Sequence, residues 1–274
     1  MSGILAFLGR FTLELVSYVG GLASLSRKVI HWTFVAPFQG QSLKWRSALH
    51  QMVLVGVNSI PIVGLISFFI GIVMALQGAY QLQKFGAGYY VTALVGVSMT
   101  RELGPLITAI VIAGRSGSAF AAELGTMKVS EEIDALEVMG LNSVRYLVVP
   151  KYLALLVMMP CLTIFSDAAG ILGGGAFTMV QLEHTFPMFL TATREALAMR
   201  DISTGLIKSL VFGLVITTVG CYEGFSVKGG AEGVGKSTTA SVVVSIFLII
   251  LTDVIFTAIF YYTGRRCRTI SKGR

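Results

Sequence analysis

Five long apolar blocks constrain the fold of this chain more than any other feature of its sequence. They run at about residues 52–80, 91–125, 150–180, 204–225 and 240–263. Lipid offers the backbone no hydrogen-bond partner, so such a segment crosses a membrane only as a helix or within a closed barrel. Each block reaches the roughly 20 residues that a helix needs to cross the hydrocarbon core. We therefore expect an all-α integral membrane protein with about five transmembrane helices.

The composition excludes several classes of protein. Charged residues make up 13% of the 274 positions, whereas a soluble domain carries about 25%. The net charge of +7 is scattered over loops and ends. Because no basic stripe with interleaved aromatic residues is present, nucleic acid is not an expected partner. The three cysteines and three histidines are isolated from one another, and no spacing among them indicates a metal site.

The chain divides into three regions. Residues 1–50 combine apolar positions at helical spacing with two tryptophans, which favours an N-terminal interfacial or elbow helix over a loose tail. Residues 51–265 hold the five blocks, and residues 266–274 form a basic tail. The basic N-terminal region and loops place the N-terminus in the cytoplasm by the positive-inside rule. An odd number of spans puts the tail on the other face, against that rule, so its side stays open.

The second block carries Arg101, Glu102, Arg115 and Glu123 at positions where lipid is expected. A charged side chain at that depth costs a few kcal/mol unless it faces a cavity or a partner. Glycines and Pro105 in the same block predict a kink, a tilt or an extension beyond the bilayer. Neighbouring positions on a helix do not face each other, so we expect Arg101 and Glu102 to have separate partners. A polar cavity for a charged headgroup and helix-to-helix ion pairing both remain open.

An acidic, amphipathic segment follows the second block. Ser130 precedes Glu131, Glu132 and Asp134, which predicts an N-cap with acids in the first helical turn. Ile133, Leu136, Val138 and Met139 supply an apolar stripe, and Gly140 is placed to end the helix. A short helix of this kind between two spans suits docking to a soluble protein. The alternative is a solvated connecting helix without a partner.

Residues 230–237, GAEGVGKS, match the phosphate-binding pattern GxxxxGK[ST] in every position. A P-loop requires a strand that leads into the glycine-rich turn, and a helix that follows it. Here a membrane segment precedes the motif and another follows it, so we predict that it binds no nucleotide. We expect a tight loop between two spans instead, with Ser237 or Thr238 capping the last helix.

Three motifs occur in order: RELGP at residues 101–105, AGRSGSAFAAELGTMKVSEEIDALEVMG at residues 113–140, and GGAEGVGKSTT at residues 229–239. In these segments the chain resembles the MlaE/YrbE family of bacterial ABC permeases, the membrane subunits of Mce-associated lipid transporters. The resemblance covers about residues 50–265, and it is specific because long, unusual segments match in the right order.

The resemblance implies a non-catalytic, homodimeric permease in the bacterial inner membrane, with five spans, an N-terminal elbow helix and a cytoplasmic coupling helix. It implies a separate cytoplasmic ATPase that holds ATP and magnesium, no cofactor in this chain, and a periplasmic Mce-domain protein. The ATPase would dock on Glu131, Glu132, Asp134, Leu136 and Glu137. Phospholipid or a similar apolar lipid would occupy a cavity at the dimer interface, lined by Met74, Gln77, Leu82, Phe85, Arg101, Glu102 and Leu103.

Two other functions compete with the lipid permease. An ion- or proton-coupled secondary transporter would use Glu102, Asp167 and Asp253 as titrating groups, although no inverted repeat is visible. A membrane-embedded lipid enzyme would need a convergent nucleophile and base. Glu183 and His184 are the only adjacent pair of that type, and no nucleophile motif accompanies them. Lipid identity and transport direction stay open.

Overall fold

The computed structural model of the chain describes residues 2–35, 45–181 and 186–271, and every regular element within those ranges is helical. The predicted all-α fold is therefore confirmed. Lys44, Glu183, His184 and the last three residues of the predicted tail lie outside the described residues. The α-helices are α1 (Ser2–Ile30), α2 (Trp45–Val55), α3 (Ile60–Gln83), α4 (Val91–Ser98), α5 (Gly104–Ile112), α6 (Ser118–Val129), α7 (Glu132–Val138), α8 (Val149–Gln181), α9 (Phe186–Ala196), α10 (Met199–Phe225) and α11 (Gly230–Ser271).

Within the described ranges, five helical segments are long and apolar enough to cross a membrane, as the five apolar blocks predict. The first two spans, Trp45–Gln83 and Val91–Val129, each contain several consecutive helices. The remaining spans are Val144–Gln181, Met199–Phe225 and Gly230–Tyr262. Helix α11 continues beyond the fifth span to Ser271, into the residues expected to form the basic tail.

The second span is one continuous helical segment interrupted by two π-helical turns. The turns lie at Met99–Leu103 and Ala113–Gly117, between α4, α5 and α6. Pro105 lies in the first turn of α5, where its missing N–H removes the hydrogen bond that an α-helix would require. A π-turn accommodates such a break and redirects the side chains around it. The irregularity predicted for this span is thus confirmed, and the first π-turn contains Arg101 and Glu102.

Small residues allow the first and third spans to pack closely. A Cβ added at Gly71 would meet the backbone of Gly170, and one at Gly173 would meet the carbonyl of Phe68. The hydroxyl oxygens of Ser67 and Ser166 lie 2.7 Å apart across the same interface. Close backbone approach of this kind stabilises helix pairs in lipid, where burial of apolar surface between helices contributes little.

Helix α1 is attached to one end of the bundle by both apolar and polar contacts. Leu25 and Val29 are buried in a cluster with residues of α6, α8 and α10. The Tyr18 hydroxyl donates a 2.6 Å hydrogen bond to Glu223 Oε1, near the end of α10. Burial, and then the Glu223 carboxylate, raise the pKa of Tyr18, so the phenol remains a donor at neutral pH. The exposed side of α1 includes Leu13, Val16 and Val19, an apolar face suited to a membrane surface.

We predict that Gly173→Val lowers the stability of the protein by about 1–3 kcal/mol, because the new side chain overpacks the interface between the first and third spans. Thermal unfolding in detergent would measure the loss. Gly235→Ala is the matched control, since a Cβ at that helical position meets nothing within 4 Å. Equal unfolding temperatures for Gly173→Val and Gly235→Ala would contradict the packing described for these spans.

Candidate functional site

Lys208 is the centre of a charged cluster that joins the second, fourth and fifth spans. Its side chain is only 1% exposed, and its ammonium group pairs with Glu102 and with Asp253 Oδ1, the latter at 2.8 Å. It also donates a 2.7 Å hydrogen bond to Thr257 Oγ1, which in turn lies 3.2 Å from Glu102 Oε2. Three spans therefore share one buried cation.

Burial makes this cluster energetically demanding. Removing ions from water costs several kcal/mol each, and mutual attraction offsets that cost only when the partners stay in place. Sequence reasoning singled out Glu102 and Asp253 but missed Lys208. The sequence does contain an indication of its role. Lys208 is a lone lysine inside the apolar fourth block, and a lysine at that depth requires an acidic partner from another span.

The Arg101–Glu102 pair forms the more accessible edge of the cluster. Arg101 Nε lies 3.8 Å from Glu102 Oε1, and the two side chains are 34% and 31% exposed. The expectation of separate partners holds only in part. Glu102 does reach Lys208 and Thr257 on other spans, but Arg101 pairs with Glu102 itself.

The seven residues expected to line a lipid cavity fall into three groups. Met74, Leu82 and Leu103 pack against the buried cluster that α3 and α4 share. Gln77 and Phe85 are exposed on or just after α3, and Arg101 and Glu102 are half-buried in the first π-turn. The set therefore follows the end of the first span and the first third of the second, and its role in binding lipid stays a prediction.

A second buried lysine lies near the other end of the second span. The Lys151 side chain is 2% exposed, and its Nζ lies 2.6 Å from Glu123 Oε2. The same amine lies 5.1 Å from the centre of the Phe120 ring, within the range of a cation–π contact. Because Glu123 precedes α7 and Lys151 follows it, this ion pair closes the base of the segment that contains α7.

Helix α7 begins differently from the expectation. Ser130 is not its N-cap, because Ser130 is the C-cap of α6, where its backbone N–H donates to the Thr126 carbonyl at 2.9 Å. Glu131 connects α6 to α7 in the left-handed backbone conformation, with φ 59°, and α7 starts at Glu132. The end of α7 agrees with the prediction, since Gly140 has φ +72° and Leu141 N–H donates to the Leu136 carbonyl at 3.0 Å. This is a Schellman ending.

Several of the acids proposed for docking have partners within their own segment. Asp134 pairs with Lys128 at 2.7 Å, and Glu137 accepts a 3.0 Å hydrogen bond from Ser143. Glu132 accepts one from Ser130, also at 3.0 Å. Leu136 is half-buried.

Apolar side chains project from the end of α7. Val138 is 89% exposed and Met139 is 65% exposed. Ile133, on the opposite side of the helix, is 3% exposed and holds α7 against the protein. The segment thus presents an apolar tip with acids beside it.

The glycine-rich motif is helical rather than a loop. Helix α11 begins at Gly230, so the expectation that Ser237 or Thr238 caps the last helix is wrong. Lys236 pairs with Glu232 at 2.7 Å, one helical turn away. Since the backbone N–H groups from about Val234 onward serve the helix, the motif cannot form the phosphate cradle of a P-loop.

Of the three acids in the competing transporter hypothesis, two share one lysine and the third does not. Glu102 and Asp253 share Lys208, whereas Asp167 lies on the third span against Gly104. Asp167 has no ion-pair partner among the described residues, and its Oδ1 accepts no hydrogen bond from them. Within the same residues, no group of three or more His, Cys, Asp or Glu side chains could hold a metal ion.

Comparison with known proteins places these features in one family. Residues 48–259 match the family described as Permease MlaE. A probable ABC transporter permease of Rickettsia bellii is 35% identical over 254 residues, covering 93% of this chain and 96% of the relative. A protein with the same description from Synechocystis is 40% identical, covering 80% and 83%. The Arabidopsis thaliana chloroplast protein TRIGALACTOSYLDIACYLGLYCEROL 1 is 35% identical, covering 80% of this chain and 63% of its own length.

We predict that Lys208→Met destabilises the protein by about 3–5 kcal/mol, because Glu102 and Asp253 are left without their shared cation. Combining it with Glu102→Gln and Asp253→Asn removes the stranded charges and should restore most of the loss. Thermal unfolding in detergent or nanodiscs would measure both variants. A triple variant no more stable than Lys208→Met would show that the three groups do not form one charge network.

For the glycine-rich motif, the expected result is that the purified chain shows no saturable ATP binding and that Lys236→Ala changes nothing. Fluorescent nucleotide titration is a suitable measurement. Saturable binding by the wild-type chain that Lys236→Ala removes would show that the motif does hold nucleotide.

Proposed function

The chain belongs to the MlaE permease family, and from this we infer that it is the membrane-spanning, non-catalytic subunit of an ABC transporter that moves phospholipid or a similar apolar lipid. The observation that carries this inference is the α7 segment. It has an exposed apolar tip, it is held at its base by Lys151 and Glu123, and it is continuous with the second and third spans.

Docking of a separate ATPase agrees with the surface of α7. The exposed Val138 and Met139 provide the apolar anchor that interface centres favour, and Glu131 and Glu132 provide charge at its rim. ATP and magnesium would bind in that partner. In this chain, α7 would receive the movement of the partner and pass it to the two spans on either side.

A lipid cargo is supported by the accessible edge of the charged cluster and by one relative. Arg101 and Glu102 present charge at membrane depth beside apolar Leu103, which suits a molecule with a polar headgroup and apolar tails. The plant relative is named after a glycerolipid. We propose that a second copy of the chain completes the cavity around Met74, Gln77, Leu82, Phe85 and the three residues at 101–103.

The remaining partners and the location follow from the family assignment. The complex would lie in the bacterial inner membrane, with α7 and the N-terminus on the cytoplasmic side. An Mce-domain protein on the periplasmic side would exchange lipid with the dimer. Helix α9 lies between the third and fourth spans, at the end opposite α7, and so on the side where that partner would bind.

A secondary transporter is the alternative function, and the geometry gives it less support. Two of its three acids, Glu102 and Asp253, already neutralise Lys208. Protonating either would weaken an ion pair that joins three spans. The third acid, Asp167, packs against Gly104 of α5 instead of pairing with Lys208. This alternative also leaves the exposed apolar tip of α7 without a role.

We predict that reversing the charges of Glu131 and Glu132 to lysine abolishes co-purification of the ATPase from the native membrane, since the rim of the docking surface then repels its partner. Val138→Glu with Met139→Glu should act at least as strongly by placing charge in the apolar anchor. Quantitative mass spectrometry of the tagged chain's co-purifying proteins would measure both.

The matched control is Glu195→Lys, which changes an exposed acid on α9 at the opposite end of the bundle. It should leave ATPase recovery unchanged, and all variants should keep the wild-type unfolding temperature. Unchanged ATPase recovery in both docking variants would refute α7 as the docking element.

A further inference from the structure

A cavity of about 470 Å³ lies between the end of α1 and the base of the α7 segment. Lys28 and Trp32 form one wall, while Glu137 and residues 140–144 form the other. Its volume falls in the range of sites that hold small molecules, about 300–1,000 Å³. The cavity shares Glu137 with the proposed docking surface, but its other lining residues belong neither to that surface nor to the proposed lipid cavity between the spans.

The cavity has an unmatched positive charge. Lys28 is exposed and has neither an acidic nor a hydrogen-bonding partner for its amine among the described residues. Lysines 128, 151, 208 and 236 each pair with a carboxylate, whereas Lys28 shares with Lys84 and Lys228 the lack of such a partner among the described residues. The only acid in the described lining of the cavity, Glu137, already accepts a hydrogen bond from Ser143 at 3.0 Å.

A second cation lies next to the cavity. The guanidinium carbon of Arg145 is 5.4 Å from the centre of the Trp32 ring, within the distance of a cation–π contact. Arg145 and Lys28 therefore flank one indole from two different segments of the chain. Two basic side chains and one acid, Glu137, are thus grouped around this indole.

The position of the cavity matches the headgroup level of a membrane. The third span begins at Val144, in the cavity wall, and α1 carries exposed apolar residues along its outer face. Tryptophan and basic side chains collect at this level, where an indole reaches the acyl boundary and a cation meets phosphate. Basic pockets between helices on the cytoplasmic side bind anionic headgroups.

We propose that this cavity binds the headgroup of an anionic phospholipid from the surrounding leaflet, with its phosphate at Lys28 and its glycerol region against Trp32. This lipid stays bound to the protein as a structural lipid and contacts both α1 and the base of the α7 segment. It is distinct from the transported cargo, whose proposed site lies between the spans. The proposal therefore does not depend on what the protein transports.

A membrane lipid fits these residues better than a soluble protein does. The apolar tip that suits a protein partner, at Val138 and Met139, is highly exposed and is not part of the cavity lining. The cavity instead contains one aromatic ring, the amine of Lys28, the amide of Asn142 and the Glu137 carboxylate that Ser143 engages, at the level where the third span starts. A lipid bound in the cavity would contact both α1 and the α7 segment. The position of the α7 segment would then depend on the anionic lipid content of the membrane.

The test uses the full chain in nanodiscs that contain phosphatidylcholine with or without phosphatidylglycerol. A photoactivatable phosphatidylglycerol, followed by peptide mapping, reports where the headgroup lies. We expect crosslinks to the peptides around residues 28–32 and 140–145. Lys28→Gln should reduce them about fivefold, the equivalent of about 1 kcal/mol for one basic side chain at an anionic surface. Lys228→Gln, which removes an exposed lysine outside this cavity, should have no effect.

Two further experiments test the proposal, one with inorganic phosphate as a competitor and one with the native ATPase bound. Soluble inorganic phosphate should not displace the crosslinked lipid, because it lacks the glycerol and acyl contacts; displacement would show a free-anion site and overturn the proposal. Equal crosslinking in Lys28→Gln and wild type, or an equal loss in Lys228→Gln, would also overturn it. So would crosslinks that disappear when the native ATPase is bound, since the cavity would then belong to the protein interface.

Discussion

A charge inside an apolar span has to be matched by another span, and this requirement organises the whole bundle. Lys208 and Lys151 are both almost fully buried, and each pairs with a carboxylate of the second span. Those carboxylates, Glu102 and Glu123, are 21 residues apart (123 minus 102). At 1.5 Å per residue the separation is about 30 Å along a helix. The second span is thus fixed by ion pairs at two distant levels.

This arrangement makes the second span the connection between the proposed docking and binding sites. One of its ends continues into α7, and its first third contains the π-turn with Arg101 and Glu102. Because Lys151 fixes the base of α7 and Lys208 fixes the π-turn to the fourth and fifth spans, a displacement of α7 would pass to the charged cluster. π-turns inside α-helices occur frequently at functional sites, and this one lies beside the proposed cargo.

Local features of the sequence predicted local features of the structure. The apolar blocks predicted five spans, Gly104 and Pro105 predicted an irregular second span, and Gly140 predicted the end of α7. The errors arose where distant contacts decide the outcome. Ser130 completes α6 through the Thr126 carbonyl, and nothing in the local pattern distinguishes that bond from an N-cap. The partners of Lys208 come from positions more than 40 residues away. The glycine-rich motif is helical, and its Val234 lies 3.6 Å from where a Cβ on Gly125 of α6 would be, a contact that sequence spacing cannot show.

The most direct test of the account is lipid movement in proteoliposomes that contain the chain with its co-purified ATPase. We expect phospholipid transfer to require ATP hydrolysis and to continue after ionophores dissipate the proton and sodium gradients. Transfer or uptake that proceeds without ATP and stops when those gradients are removed would contradict the account. That result would favour a secondary transporter, with Glu102, Asp167 and Asp253 as the groups to examine next.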